Sequence, residues 1–548
     1  MLNLKRKRFI SVFFVGIIFF IPAFSQAAWS NFESFFIESD YDLYGRNQME
    51  TQLLKTTNQF YVYIDAQWYE NLIEKQEFNN KIYNLVTNFE YKTYPLLTNL
   101  FGYEDIPGID NDSRLVLVLE PLKNTFGGYV RIVDKDSQEV ANYSNEGQII
   151  YLNSDLIVKP SIEILNYQLA HEFMHLVSLN QKLGAETWFY EFISEFAGQL
   201  VEPNLNAVIQ QRAQGLLYST EINLINWNNS DKDYGRVYLL GLYLKEQFNN
   251  EIIKEVLEHP SESGLISFIE VFKKNQLDFE QVLLNWLIAN IVNDCSLGKE
   301  YCYENPVLKN YSIFPYSYYM PDQKKGSLAV ANSIKPWSAN LQRINGGQGD
   351  MKLKFTIPKE TPIRKIPYII ESIDNKKTLG FFDFSNSNIQ EVIIKGMGSE
   401  NRAIYFIPFI GLPGEQDKTY YYSWEINSIE SIKEQEQVII QGLLKRIEEL
   451  KKEIAVLETQ LARQQAYEEN LYCSVFSQDL YYGMRAEQVK CLQQFLARLD
   501  NDVYPEKLIT GYYGPLTLAA VKRYQSYNGI NTTGYFGPIT RNMVNKSL

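Results

Sequence analysis

Histidine is the scarcest residue in this chain: three occur in 548 positions. Cysteine is nearly as rare, with four, and no Cys-x-x-Cys pair or Cys/His cluster suggests a metal among them. Positive charge is also short. Fifty-two Lys and Arg face 65 Asp and Glu, for a net charge of −13 and a sequence pI near 5.1. That balance argues against nucleic acid or an anionic membrane as the main partner. Beyond one apolar run at the N-terminus, no stretch is long and apolar enough to suggest a membrane span. Hydrophobic content of 45% and charged content of 21% are those of folded domains rather than disorder. The length suggests roughly three to four domains. Tyrosine is the abundant exception at 39 residues, which suits polar surfaces and carbohydrate-like contacts.

Two of the three histidines lie together in Leu169-Ala170-His171-Glu172-Phe173-Met174-His175-Leu176-Val177. The core reads His-Glu-x-x-His. On a helix, positions i and i+4 share a face, so His171 and His175 can offer two imidazole nitrogens to one metal ion. Glu172 sits beside them, within reach of a metal-bound water. This is the ligand-plus-base pattern of a zinc metallopeptidase. Ile162, Leu165, Leu169, Phe173, Leu176 and Val177 recur at helical spacing, which predicts one buried face with the histidines lining a cleft. Pro160-Ser161 reads as the helix start, with Ser161 as cap. The third histidine, His259, precedes Pro260 and reads as a surface residue. Two structural histidines on an amphipathic helix are the plain alternative. Structural zinc takes four protein ligands, whereas catalytic zinc takes three and leaves a position for water, so a third ligand downstream decides between them.

The next block is Glu186-Thr187-Trp188-Phe189-Tyr190-Glu191-Phe192-Ile193-Ser194-Glu195-Phe196-Ala197. It resembles the second metal helix of the gluzincins, the clan of thermolysin. Its wording, Trp-x-x-Glu-x-x-Ser-Glu-x-Ala, is closest to the hyicolysin-type neutral zinc metallopeptidases. The resemblance implies an α+β gluzincin-like metallopeptidase domain holding one catalytic Zn²⁺, with Glu191 as the third ligand. It implies that Glu195 holds a ligating imidazole by its other ring nitrogen. Tyr190 and Phe192 stand where the family often has Asn and Gly, which predicts a crowded site. Related peptidases carry a Tyr that hydrogen-bonds the tetrahedral oxyanion. Tyr234 is the best positional match and Tyr238 the second. The segment from Phe279 to Asn293 resembles the closing helix of that domain. An edge strand beside the cleft pairs with extended substrate in gluzincins. The candidate here runs from Gly127 to Val130, with an ordinary hairpin as the alternative.

Around this centre the chain divides readily. Lys5-Arg6-Lys7-Arg8, an apolar run from Phe9 to Phe24 and Ser25-Gln26-Ala27-Ala28 read as a secretory signal peptide over residues 1–28, cleaved after Ala27 or Ala28. An uncleaved anchor is the alternative. Export agrees with the cysteines: Cys295 with Cys302 and Cys473 with Cys491 is the simplest pairing in an oxidising compartment. The metallopeptidase domain spans 29–330. In it, the segments from Phe60 to Ile64, Leu115 to Leu119 and Gln148 to Leu152 read as strands, and Asn79 to Leu100 as a helix. Residues 331–427 show short strands between Gly, Pro and Asn turns, which predicts a β-sandwich. Residues 428–468 turn to Glu, Lys, Gln and Leu. There Ile440, Leu443, Ile447, Leu450, Ile454, Leu457 and Leu461 form a heptad seam, a coiled-coil stalk that could pair two chains into a homo-oligomer.

The last segment, 469–548, repeats itself. Thr510-Gly511-Tyr512-Tyr513-Gly514-Pro515-Leu516-Thr517 returns as Thr533-Gly534-Tyr535-Phe536-Gly537-Pro538-Ile539-Thr540. With Leu480-Tyr481-Tyr482-Gly483 and the helix from Val489 to Leu496, it resembles the peptidoglycan-binding type 1 module, a small three-helix bundle. The combined expectation is a multidomain, secreted or cell-wall-associated zinc endopeptidase with peptidoglycan and a protein or peptide substrate as partners. The alternatives are an inert wall-binding scaffold and a hydrolase of peptidoglycan peptide bridges.

Overall fold

The computed structural model describes residues 29–123, 127–158, 161–320, 326–411, 418–469, 473 and 475–548. The expected signal peptide, and Pro160, lie outside these residues. The chain divides after Glu434 into two compact units.

The first unit is built on a six-stranded mixed sheet. Its strands are β1 (Phe32–Phe36), β2 (Gln48–Thr56), β3 (Phe60–Asp65), β4 (Leu115–Glu120), β5 (Gly128–Tyr129) and β6 (Ile149–Asn153), in the order β1-β2-β3-β4-β6-β5. β3 with β4 and β4 with β6 run parallel. Every residue of β3 and β4 is buried. Their continuous apolar runs, rather than an alternation, require cover on both faces. Phe60, Val62, Ile64, Leu115, Leu117 and Leu119 join the main core under the helices. Tyr61, Tyr63, Val116 and Val118 pack with Phe35, Tyr129 and Tyr151 on the other face.

The helix expected from Asn79 to Leu100 starts earlier, at Lys75, and contains a π turn at Phe89–Thr93 before resuming at Tyr94–Phe101. Pro95 explains the turn. It has no N–H to bond the carbonyl of Tyr91, and its ring excludes a regular turn there.

The motif helix spans Ile162–Gln181. It is not the one-sided helix that its spacing predicts. Leu165, Leu169, Phe173, Leu176 and Val177 are buried, but so are Ala170, His171, Glu172 and Met174. The sheet contacts one side of it and the helix Thr187–Val201 another, so almost no face meets water. Ile162, in the first turn, is half-buried. Ser161 precedes the helix without capping it by side chain; its hydroxyl meets Glu163 instead. His259 is half-buried rather than a plain surface residue. Its carbonyl, with that of Ser261, accepts from the buried Lys182 ammonium, which also reaches Ser267 Oγ.

Among the described residues, nine strands between Ser317 and Ser428 make the β part, which begins before the expected residue 331. Both Gln342–Gly346 and Lys365–Ser372 pair along Asn401–Phe406. Ile389–Met397 and Tyr420–Ser428 pair along Gly349–Thr356. The two sets meet at a single pair, Met397 with Asn401, and bury one core containing Ile344, Leu353, Phe355, Phe406 and Trp424. The reverse side, through Ile369, Ala403, Tyr405 and Ile407, packs into the core of the helical part. A small sheet of Glu221–Asn223, Ser338–Asn340 and Phe409–Ile410 stitches the two parts together.

The helix Ile429–Glu469 follows the last strand directly. Its seam residues, from Ile440 to Leu461, are all exposed within one chain. The C-terminal module has three helices, Glu487–Arg498, Pro515–Tyr527 and Pro538–Asn545, around Leu480, Val489, Leu492, Leu496, Tyr513, Val521, Phe536 and Val544. Both expected disulfides are formed, Cys295 with Cys302 and Cys473 with Cys491. No helix among the described residues is long and apolar enough to cross a membrane.

Candidate metal centre

His171 and His175 stand one turn apart, with ring centroids 5.0 Å from each other. The helix Thr187–Val201 brings Glu191 to them. Its Oε2 lies 3.4 Å from His171 Nε2 and its Oε1 3.9 Å from His175 Nε2. One ligand atom from each of the three residues falls within 4.8 Å of the others. Among the described residues, Glu191 Oε2 is buried and meets no hydrogen-bond donor. A buried carboxylate oxygen without a partner is costly unless a cation completes it. Two imidazoles and one carboxylate are the donor set of a three-ligand zinc site, so the residues fit that ion.

Burial lowers both imidazoles, but their neighbours separate them. The close approach of Glu191 and the charges of Glu172, Glu195 and Glu191 carry His171 up to about 9. His175 falls to about 4 through burial, with only Glu191 opposing it. The charges of His175 and His171 hold Glu191 below the usual carboxylate range despite its burial. Glu172 is pushed up to about 7, chiefly by burial. It is held by Gln168, whose Nε2 donates to Glu172 Oε1 at 2.6 Å.

Glu195 Oε1 approaches His171 Nδ1 at 3.8 Å, too far for the hydrogen bond expected of it. The same oxygen accepts from Arg212 at 2.5 Å, and Tyr167 donates to Oε2. Arg212 also lies over the Tyr234 ring, 4.7 Å from its centroid. The Tyr234 hydroxyl donates to Asn229 Oδ1 at 3.0 Å. Burial raises its pKa, and Glu191, Glu195 and Glu172 raise it further, which places it in the field of these three carboxylates. Tyr238 is almost wholly buried beside Tyr167 and feels only Glu195 and Arg212.

The crowding expected from Tyr190 and Phe192 does not arise. Tyr190 donates to the Lys182 carbonyl at 2.6 Å and accepts from Gly184 and Ala185, closing the connection between the two helices. Phe192 packs on Phe268, 5.1 Å between centroids. Helical residues on either side of Glu191 point about 100° away from it.

β5 is the edge strand of the sheet and pairs antiparallel with β6. Its glycines allow a close approach to the centre. A Cβ at Gly128 would lie 2.9 Å from Glu172 Cγ, and one at Gly127 would lie 2.4 Å from Gln168 Cδ. Tyr41 packs edge-on against Tyr129 at 5.1 Å. Burial raises its hydroxyl pKa first, then Glu38, Glu191, Asp40 and Glu172. Gln168, Arg212, Tyr167 and Tyr41 carry no motif. Only Gln168 was open to inference, as an i, i+4 partner of Glu172.

Comparison with known proteins gives two matches of different kinds. Residues 485–544 match the family model described as "Putative peptidoglycan binding domain". The chain is distantly homologous to a metalloprotease: it is 27% identical over 209 residues to the neutral metalloprotease ShpI of Staphylococcus hyicus. That match covers 33% of this chain and 46% of the relative, less than half of its length. Among solved structures, the PliG lysozyme inhibitor of Aeromonas hydrophila aligns with a TM-score of 0.15 at 7% identity, over 20% of this chain and 94% of that one. A carbohydrate-binding module of the β-sandwich superfamily aligns at 0.13 and 12% identity, over 19% and 52%. Likenesses this slight bear on neither fold nor function.

Proposed function

We propose that the chain is an exported zinc endopeptidase of the gluzincin, hyicolysin-like type, tethered to the bacterial cell wall by its C-terminal module. The observation that carries this reading is the convergence of His171, His175 and the unpartnered Glu191 oxygen beside Glu172. Zinc held by these three ligands would supply a Lewis acid and a water acidified to a pKa of about 7.

The protein's own residues do the rest. Glu172, steadied by Gln168 and tuned upward by burial, takes the proton of the attacking water and hands it to the leaving amine. Tyr234 donates to the oxyanion that forms on the scissile carbonyl; it must first leave Asn229. Glu195, fixed by Arg212 and Tyr167, backs the His171 ring. β5 offers backbone groups to an extended substrate beside Glu172, which favours peptide without demanding one side chain.

Protein is the preferred substrate because the homologous relative is a neutral metalloprotease. The helix Ile429–Glu469 lies in sequence between the metal centre and the wall module, and its exposed heptad seam would let two chains pair. Digestion of a random peptide pool by the purified full-length chain tests the reading. New N-termini should appear with zinc present, vanish with a chelator and return when zinc is restored. An intact pool under all three conditions sinks the peptidase.

A further inference from the structure

The C-terminal module joins its loops by two short antiparallel contacts. Leu480 pairs with Phe536, and Arg485 with Tyr512. In the first, the two backbones exchange hydrogen bonds of 3.1 and 2.9 Å. Leu480 and Phe536 both point into the core. Side chains alternate along an extended chain, so Tyr481 and Tyr535, the next residues in register, face outward together. They are 52% and 42% exposed.

Tyr535 is fixed rather than loose. Its hydroxyl donates to Asp479 Oδ2 at 2.8 Å, and Asp479 pairs with Arg541. Its ring lies against Gly537, where a Cβ would come within 2.4 Å of the ring edge. Gln525 locks the loop beneath it. The Gln525 Oε1 accepts from Gly534 N–H at 2.8 Å, and its Nε2 donates to the Tyr535 carbonyl and to Thr540 Oγ1. The first repeat is clamped the same way by Gln493, through Thr510, Gly511, Tyr512 and Thr517. There the outcome differs, because the Arg485 guanidinium covers the Tyr512 ring, 5.2 Å from its centroid. Of the two repeat tyrosines, Tyr535 alone keeps an open, half-exposed ring with a second tyrosine opposite it.

We propose that Tyr481 and Tyr535 are the stacking platform on which the module seats sugar rings of the peptidoglycan glycan strand. Asp479 and Arg541 at its edge meet the sugar hydroxyl and amide groups. The inference rests on the wall-tethering reading above and deepens it. Sugar rings have flat C–H faces and a polar rim. A pair of rigid aromatics with a carboxylate and a guanidinium alongside matches both at little entropic cost, since a tyrosine has only two side-chain torsions to fix.

Sedimentation of the full-length protein with two insoluble polymers tests this. One is whole peptidoglycan, and the other is its glycan with the stem peptides removed enzymatically. The wild type should sediment with both. So should Tyr527→Ala, whose side chain is 82% exposed at a helix end away from the platform contacts. Tyr481→Ala and Tyr535→Ala should each weaken binding to both polymers about tenfold, as loss of one stacking ring does elsewhere. Tyr535→Phe keeps the ring and removes only the tether to Asp479, so it should lose less than the alanine variant. Tyr481 is 52% exposed and lies outside the Gln525 clamp, so Tyr481→Ala carries the test if Tyr535→Ala fails to fold. Wild-type binding with unchanged binding in both alanine variants overturns the platform and spares the tether. Binding that disappears with the stem peptides also overturns it. Failure of the wild type to sediment with either polymer overturns the tether and the platform together.

Discussion

The candidate metal centre and the C-terminal module hold their key side chains in opposite ways. At the metal centre the work is done by buried charge. Three carboxylates, Glu172, Glu191 and Glu195, face two imidazoles and the Arg212 guanidinium. In the module it is done by neutral amides. Gln493 and Gln525, each 1% exposed, clamp one repeat turn apiece through both ends of the side chain. A clamp of neutral amides fixes a shape and leaves it chemically inert. A cluster of mutually dependent charges fixes a shape and also stores reactivity, because each proton affinity depends on its neighbours. The contrast predicts that changes in the first region cost activity and metal, while changes in the second cost only stability and wall binding.

The largest expected effect is at Glu172. Glu172→Gln should retain metal and fold, yet lose about 10²–10⁴ in kcat, the usual worth of a general base. Tyr234→Phe should lose on the order of 10²–10³, as removal of one oxyanion donor does, and Tyr238→Phe little. Near-normal turnover in the Gln variant would assign the base elsewhere, and a stronger effect at Tyr238 would exchange the tyrosines. Arg212→Met comes next. It leaves Glu195 buried without its cation, which costs about 3–5 kcal/mol. The melting temperature of the unit that carries the candidate centre should fall accordingly, and zinc should bind more weakly. A stable variant with unchanged zinc affinity would show that the charge network does not support the ligands.

A third test uses a buried carboxylate whose burial outweighs the nearby Arg46 charge. Burial pushes Glu120 up to about 8 from an ordinary value near 4.5, although the Tyr129 hydroxyl donates to it at 2.6 Å. The folded chain therefore binds this proton more tightly than the unfolded chain. Stability should be full below about pH 4.5 and decline as pH rises from there through about 8, by on the order of 5 kcal/mol from this group. In Glu120→Gln that decline should shrink, measured as melting temperature at pH 5 and pH 8.5. An equal decline in both proteins removes Glu120 as its source. The smallest effect belongs to the module. Gln525→Leu strands two backbone groups and a hydroxyl, for about 1–3 kcal/mol, seen as earlier unfolding of the module with peptide cleavage unchanged. Reduced cleavage would mean that the amide clamps reach the chemistry after all.

The same contrast explains what was legible beforehand. The module announces itself because its clamps and turns are local and repeated: Gln493 and Gln525 each lie within 24 residues of everything they bind. The convergence of His171, His175 and Glu191 was legible because two helices carry them at fixed spacing. The groups behind them were not. Arg212 reaches Glu195 from a third helix, and Tyr41 comes from the far side of the sheet sequence. Tertiary packing alone brings them in, and no periodicity records it. The one-sided reading of the motif helix failed for a related reason. Its buried polar residues include His171 and Glu172 of the candidate centre, so polarity there does not mark exposure to water. The π turn at Phe89–Thr93 was open to inference from Pro95, but helical periodicity runs smoothly across it.

Zinc titration of metal-free full-length protein, with cleavage of a soluble peptide followed at each addition, tests the central claim most directly. Activity should rise linearly and saturate at one zinc per chain, and Glu191→Ala should need far more zinc to recover any cleavage. Activity that survives complete chelation, or a Glu191→Ala variant that saturates like the wild type, would contradict the account.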